Sequence, residues 1–119
     1  MPLVVVNYQK NEIDPVIVRN VANGLPKIVA RALDVVGNEQ ARLSAGDIEV
    51  WVQEAGSQDV NGKGLEIVIW ANEYPERLAN LNDRKEEILR GVRDLLPHYP
   101  GNLTGFVWVL LQPGAFGEI

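Results

Sequence analysis

The N-terminal stretch MPLVVVNY (residues 1–8) decides the fold prediction for this chain. Its run of valines favours a β-strand over Leu3–Tyr8, because β-branched side chains fit a pleated sheet. The strand is apolar at successive positions, which predicts that it is buried on both faces. Proline is tolerated at the start of a strand, so Pro2 is compatible with this assignment.

Pro2 also carries the most specific chemical signal in the chain. If the initiator Met1 is removed, Pro2 becomes an N-terminal secondary amine at the head of a strand. The pKa of an α-amino group is ordinarily about 7.7–8.0, and desolvation or a neighbouring cation lowers it. A proline inside the chain has no titratable nitrogen. The processing of Met1 therefore decides whether Pro2 is a candidate base.

A helix and a second strand follow the first strand. Asp14 and Pro15 form a helix start, with an N-cap side chain followed by proline at the first helical position. Apolar residues then recur at the spacing of an amphipathic helix that extends to Leu33. After a polar loop, Asp47–Glu54 alternates between apolar and polar residues and predicts a half-buried strand.

The same order of elements returns in the second half of the chain. Leu65–Ala71 and Phe106–Leu111 predict strands, and the apolar spacing between them predicts a helix from Leu78 or Leu81 to Leu96, ended by Pro97. Two β-α-β units therefore form a pseudo-repeat, over residues 2–54 and 65–111. Both belong to one domain, residues 1–119.

The two units predict the fold class. Crossovers between strands of one β-α-β unit are right-handed and make the two strands parallel. The expected fold is an α/β two-layer sandwich, in which a four-stranded sheet carries two helices on one face. The other face would expose Trp51, Trp70 or Trp108, and an exposed apolar patch is typical of an interaction surface. We therefore expect an oligomer that covers this face.

The composition excludes several classes of function. The formal net charge of −5 argues against a nucleic-acid or anionic-membrane partner. The chain has no cysteine and one histidine, His98, so neither a thiolate nucleophile nor a zinc cluster is expected. The N-terminus lacks a signal-peptide pattern, and no segment reaches the ~20 apolar residues of a membrane span. We therefore expect a cytoplasmic protein.

These features together resemble the tautomerase superfamily, whose β-α-β proteins start catalysis from an N-terminal proline. The length and the doubled unit are similar to the carboxymethyl-hydroxymuconate isomerase and malonate semialdehyde decarboxylase branches, which assemble as trimers. Each feature that carries the resemblance is weakly specific by itself. The features are Pro2 before a strand, the segment Asp47–Val52, Arg77 after the third strand, and Phe106 and Trp108 in the last strand.

The resemblance implies roles for three of these residues. Pro2 matches the catalytic proline, and Arg77 matches the arginine that binds the substrate carboxylate in long-chain members. Asp47 matches the aspartate that decarboxylase-like members place near the proline. Glu12 and Glu49 fall where short-chain members have arginines, so two cations of that branch are replaced by anions here.

Three aromatic residues, Tyr8, Phe106 and Trp108, are predicted to contact the substrate. Aromatic side chains in a strand are also typical of core or interface packing, and this alternative stays open. Arg77 has an alternative too, as a solvated residue at a helix entry that pairs with a neighbouring glutamate.

The function implied by the resemblance is that of a tautomerase or isomerase. It would move a proton in a small keto, enol or unsaturated carboxylic acid, with Pro2 as base and Arg77 as carboxylate ligand. One alternative is a decarboxylase or hydratase-like enzyme that uses protonated Pro2 as an acid with Asp47. Another is a trimeric binding module without catalysis, expected if Met1 is retained. No metal or cofactor is implied, and the expected partners are a small carboxylate and the other subunits of a homotrimer.

Overall fold

The computed structural model describes residues 2–97 and 103–119, so Met1 and His98 lie outside the described range. One sheet contains the strands β1 (Leu3–Tyr8), β2 (Glu49–Glu54), β3 (Leu65–Asn72) and β4 (Gly105–Gln112). The helices of the described range are α1 (Pro15–Leu33), α2 (Pro75–Leu78) and α3 (Leu81–Leu95). Two 3-10 turns, Glu39–Ala41 and Ala45–Asp47, lie between α1 and β2. The predicted fold class is confirmed, and the short helix α2 is an addition to it.

The strand order in the sheet is β2-β1-β3-β4. Within each β-α-β unit the two strands are parallel, as predicted: β1 pairs with β2, and β3 pairs with β4. The two units meet through the central strands, because β1 pairs with β3 in antiparallel orientation. The central pair is therefore the seam of the pseudo-repeat, and β2 and β4 are the edge strands.

The helices cover one face of the sheet and form the core with it. Helix α1 begins as predicted, since Oδ1 of Asp14 accepts a hydrogen bond of 2.9 Å from the backbone N–H of Val16 and Pro15 follows the cap. Within the described residues, no helix has the length and apolar character needed to cross a bilayer. The fully buried large side chains of the core are Val4, Val6, Ile13, Val18, Val21, Leu25, Val29, Leu33, Ile67, Ile69 and Ile88.

Two predictions about strand burial are wrong. Strand β1 is fully buried only on the side of Val4 and Val6, while Leu3 and Val5 on its other side are partly exposed. Strand β2 is exposed at five of its six positions instead of half-buried. Its position at the sheet edge explains this, because β2 has a neighbouring strand on one side only, and Val52 is 47% exposed.

The opposite side of the sheet carries a continuous row of apolar side chains, which we call the uncovered face. Trp51 of β2 lies beside Val5 of β1, which lies beside Val68 of β3, which lies beside Trp108 of β4. The next row towards the N-terminus of β1 contains Leu3, Trp70 and Leu110. Trp51 and Trp108 are 50% and 56% exposed in the single chain.

Candidate active site

Pro2 lies directly before β1, at the end of the sheet where β1 begins. Its carbonyl oxygen accepts a hydrogen bond of 3.2 Å from the backbone N–H of Glu49, which aligns it with the start of β2. Side chains alternate along a strand, so Pro2 points to the same side as Val4 and Val6, the side covered by the helices. Pro2 is buried there. The proline ring is therefore packed on the core side of the sheet.

Arg77 is held at the same end of the sheet by the short helix α2. Pro75 occupies the first position of this helix, and the guanidinium group of Arg77 lies 5.0 Å from the ring of Tyr74. Its side chain turns inward, and the residue is only 2% exposed. The alternative of a solvated arginine paired with a neighbouring glutamate is therefore wrong.

Three backbone carbonyl groups surround the Arg77 guanidinium. Nε donates to the carbonyl oxygen of Leu33 at 2.8 Å, at the end of α1. One terminal nitrogen donates to Asn72 at 3.0 Å, at the end of β3, and the other donates to Ala41 at 3.1 Å. We call this arrangement the carbonyl cage. It uses three of the five N–H groups of a guanidinium and leaves one on each terminal nitrogen.

Burial lowers the pKa of Arg77 from its ordinary value, because the charged form loses hydration. The neighbouring cation Arg84 acts in the same direction, while Tyr74, Asp34 and Glu76 oppose the shift. An arginine nevertheless stays protonated in proteins, so the cage holds a permanent positive charge. Among the described residues, no carboxylate forms an ion pair with Arg77.

Asp47 also lies at the Pro2 end of the sheet. It closes a 3-10 turn two residues before Glu49, which pairs with Leu3. Its Oδ2 atom accepts hydrogen bonds from the backbone N–H of Ser44 at 2.8 Å and from the Ser44 hydroxyl at 3.1 Å. The carboxylate is half-buried and has a structural role as the partner of a capping box.

The three aromatic residues that were predicted to bind substrate lie elsewhere in the single chain. Tyr8 ends β1, six residues after Pro2, and this corresponds to about 20 Å along an extended strand. Phe106 pairs with Glu66 and Trp108 pairs with Val68, both on the uncovered face. One chain therefore does not bring these side chains to Pro2. Their contact with substrate stays a prediction for an assembly of several chains.

Two charged neighbours of the carbonyl cage, Arg84 and Asp34, were not predicted from the sequence. Arg84 of α3 donates from one terminal nitrogen to the carbonyl oxygens of Ala32 and Asp34, at 3.0 and 2.9 Å. The Asp34 carboxylate accepts from the backbone N–H of Leu43 at 2.8 Å and from Nε of Arg42 at 3.0 Å. These hydrogen bonds, above all that from Leu43, hold the pKa of Asp34 below its usual range.

A weak sequence signal could have suggested these contacts. Helix α1 ends at Leu33, where the last carbonyl groups of a helix lack partners within it. Cations favour this negative end, but the partners here come from α2 and α3, more than forty residues later in the chain. The sequence does not indicate which of the eleven lysines and arginines reach them.

A polar cavity of about 440 Å³ lies at the other end of β1. The ends of β1 and β2, including Tyr8 and Glu54, form one wall, and the loop 59–63 forms another. It is separate from the Pro2 end of the sheet.

Comparisons with solved structures give several matches that span almost the whole chain. A macrophage migration inhibitory factor-like protein from Entamoeba histolytica is 13% identical with a TM-score of 0.61, and the match covers 99% of this chain and 95% of that one. A fused 4-OT described as a symmetric trimer is 14% identical with a TM-score of 0.58, over 93% of this chain and 85% of that one. The FG41 malonate semialdehyde decarboxylase inhibited by 3-bromopropiolate is 10% identical with a TM-score of 0.60, over 98% of this chain and 89% of that one.

Neither the protein-family models nor the curated proteins gave a match to this chain. At such low identities the likeness to solved structures concerns the fold. The paired β-α-β units, the four-stranded sheet and the helices on one face all agree with it. The chain has the fold of the tautomerase superfamily.

Proposed function

We propose that this protein is a tautomerase or isomerase that moves a proton in a small keto, enol or unsaturated carboxylic acid. The observation that carries the proposal is the burial of Pro2 at the head of a central strand, at the same sheet end as the buried guanidinium of Arg77. A neutral secondary amine in such surroundings is a base suited to pH 7, because both desolvation and positive charge disfavour its protonated form.

The proposed reaction has two proton transfers. The nitrogen of Pro2 removes a proton from the carbon or hydroxyl group next to the unsaturated system, and the protonated amine returns it to another atom of the same system. Positive charge at this end stabilises the enolate oxygen and the carboxylate. Arg77 supplies that charge in one of two ways. It is either the direct ligand of the carboxylate, as the resemblance implies, or a fixed charge inside the carbonyl cage.

We further propose that the protein acts as a cytoplasmic homotrimer in which copies of the chain cover one another's uncovered face. Three exposed or half-exposed tryptophans on one sheet face form an apolar patch of the kind that marks interaction surfaces. The trimer described for the fused 4-OT agrees with this proposal. In such an assembly, Tyr8, Phe106 or Trp108 of a second copy is the proposed aromatic contact of the substrate.

The two alternatives make different demands on the same residues. A decarboxylase or hydratase-like enzyme needs Asp47 beside a protonated Pro2, but the Asp47 carboxylate is engaged by Ser44. A binding module needs no free amine and is expected if Met1 is retained. The engagement of Asp47 makes tautomerisation the better-supported reaction.

The test begins with the mass of the protein purified from its own cell, which reports whether Met1 is absent. The processed protein is then assayed by ultraviolet absorbance with phenylenolpyruvate and with 2-hydroxymuconate. In a variant with one extra residue before Pro2, whose Pro2 nitrogen is part of a peptide bond, we expect kcat/KM to fall by about 10²–10⁴, the usual contribution of a general base. Pro2→Ala keeps a primary amine at this position, so its kcat/KM should fall by less.

The matched control is Pro113→Ala, which alters an exposed proline in the C-terminal segment and is expected to keep the wild-type rate. Equal rates for the wild type and the variant with the extra residue would remove the Pro2 amine from the mechanism.

A further inference from the structure

The carbonyl cage joins three segments that are distant in the sequence. Its acceptors belong to the end of α1, the first 3-10 turn and the end of β3, at Leu33, Ala41 and Asn72. Hydrogen bonds from a charged donor are shorter and stronger than those between neutral groups. Arg77 therefore fixes these segments relative to one another more firmly than a neutral side chain could.

The charge in the cage is not neutralised by direct contact with a carboxylate of the described residues. The carboxylates of Asp34 and Glu76 act on the Arg77 charge electrostatically. Asp34 is engaged with Leu43 and Arg42, and Glu76 is exposed. Tyr74 presents its ring, and Arg84 adds a second positive charge. The carboxylates of Asp47 and Glu49 also lie at this end of the sheet, where they accept hydrogen bonds from Ser44 and Trp51. Arg77 therefore contributes a buried positive field that no carboxylate of the described residues cancels by direct contact.

Pro2 lies within reach of that field. Leu3 pairs with Trp70 in the antiparallel ladder, so the chain runs from Trp70 towards Pro2 and reaches Asn72 two residues later. Strand geometry then places the Arg77 charge on the order of 10 Å from the amine of Pro2. A buried charge acts at this distance with little screening by salt.

We propose that Arg77 is a positioning residue: its caged guanidinium holds the end of β3 beside Pro2 and presents a fixed positive charge to the amine, without touching the substrate. This inference rests on the proposed function, since it assigns the part that Arg77 plays at the same site. It replaces the role of direct carboxylate ligand. Two N–H groups of the guanidinium form no bond within the carbonyl cage. A substrate has little access to them, because Arg77 is almost fully buried.

The test compares three variants of the processed protein. Arg77→Met removes the charge, Arg77→Lys retains it and loses the forked geometry, and Leu33→Ala loosens the same end of α1 without a change of charge. The pKa of the Pro2 amine is measured by NMR titration and, where there is activity, from the pH profile of kcat/KM. We expect a rise of about one unit in Arg77→Met and little change in the other two, while KM stays within about threefold of the wild type.

A KM that rises at least about tenfold in Arg77→Met with an unchanged pH profile would overturn the inference, because it indicates a direct substrate ligand. An equal rise in the Pro2 pKa in Leu33→Ala would overturn it too, since loosening alone would then explain the effect. If Arg77→Met does not fold, the inference is tested by the pKa of the Pro2 amine in the wild-type protein. Its Pro2 pKa is expected to lie below about 7.7 at both about 0.05 M and about 0.5 M salt, and a higher or strongly salt-dependent value contradicts the inference.

Failure of the proposed function gives a different result. A protein that acts on neither substrate but whose Pro2 pKa is low and depends on Arg77 retains the positioning role and loses the assigned reaction. If the activity depends on Pro2 but the Pro2 pKa is the same with and without the Arg77 charge, the assigned reaction is retained and the positioning role of Arg77 is lost.

Discussion

The two faces of the sheet use the same strands for opposite purposes. On the covered face, Val4, Val6 and Ile69 are fully buried beneath the helices. Side chains on the uncovered face alternate with these along each strand. On that face, Trp51 of β2 and Trp108 of β4 are about half exposed. Aliphatic side chains stabilise the single chain, whereas the large aromatic side chains stay exposed in it and are the proposed contact with other copies. The comparison separates the residues that fold the chain from those that would assemble it.

The largest expected effect is on the covered face. Ile69→Ala removes a fully buried side chain from the central strand β3 and should lower the free energy of unfolding by about 2–5 kcal/mol, through lost burial and the cavity left behind. Val68→Ala, the neighbouring residue on the uncovered face, is the matched control. Urea unfolding of the two variants measures the difference, and an equal loss in both would contradict the distinction between the faces.

A smaller effect is expected within the plane of the sheet. A Cβ atom at Gly105 would collide with the backbone carbonyl oxygen of Leu65, its partner on β3. Gly105→Ala should therefore destabilise the protein by about 1–3 kcal/mol, because one of two paired strands must shift. Gly117→Ala has open space around its Cβ and should change the urea midpoint very little. Similar midpoints for both variants would mean that the edge strand β4 adjusts freely.

The layer that covers the sheet has a pH-dependent anchor at Asp34. Its carboxylate pKa is lowered by the hydrogen bond from Leu43, so its contribution is present at neutral pH and is lost as the pH falls through the folded-state pKa. Asp34→Asn should lower the free energy of unfolding by about 1 kcal/mol at pH 7. The melting temperatures of the two proteins should begin to converge as the pH falls below about 4, the pKa of an unfolded aspartate, and should meet below the folded-state pKa. If the difference in melting temperature between the two proteins stayed constant down to acid pH, the effect would not come from the charge of the Asp34 carboxylate.

The smallest effect on the single chain, and the largest on assembly, is expected on the uncovered face. Trp108→Ser should change the stability of the monomer by about 0.5 kcal/mol or less, because the side chain is mostly exposed there. It should, however, shift the mass measured by light scattering from trimer to monomer. Val109→Ala, next to it on the covered face, should lower stability and keep the trimer. A monomeric wild type would remove the basis of the comparison.

The fold was largely predictable because its signals are local. The helix start at Asp14 and Pro15 and the strand Leu3–Tyr8 agree with the structure. The parallel pairing within each unit follows from the helical crossover between its two strands and is also confirmed. The edge position of β2 was not predicted, because an alternating pattern does not report how far the helices extend over the sheet.

The candidate site was predictable only in part. The sequence marked Pro2, Asp47 and Arg77, and the structure brings all three to one end of the sheet. The sequence did not indicate that Arg77 is enclosed by carbonyl groups, because every residue has a backbone carbonyl and the residue type does not show which of them accept a hydrogen bond. The sequence also predicted that Tyr8 contacts the substrate near Pro2, although the length of strand β1 separates the two residues.

The sequence by itself determined the four strands, the two long helices, the strand pairing within each unit and the proline at the head of the first strand. These depend on side-chain spacing and backbone restrictions that act over a few residues. Only the tertiary structure decided that β2 lies at the sheet edge and is exposed at most of its positions, and what surrounds Arg77, because both depend on segments that are far apart in the chain and meet only after folding.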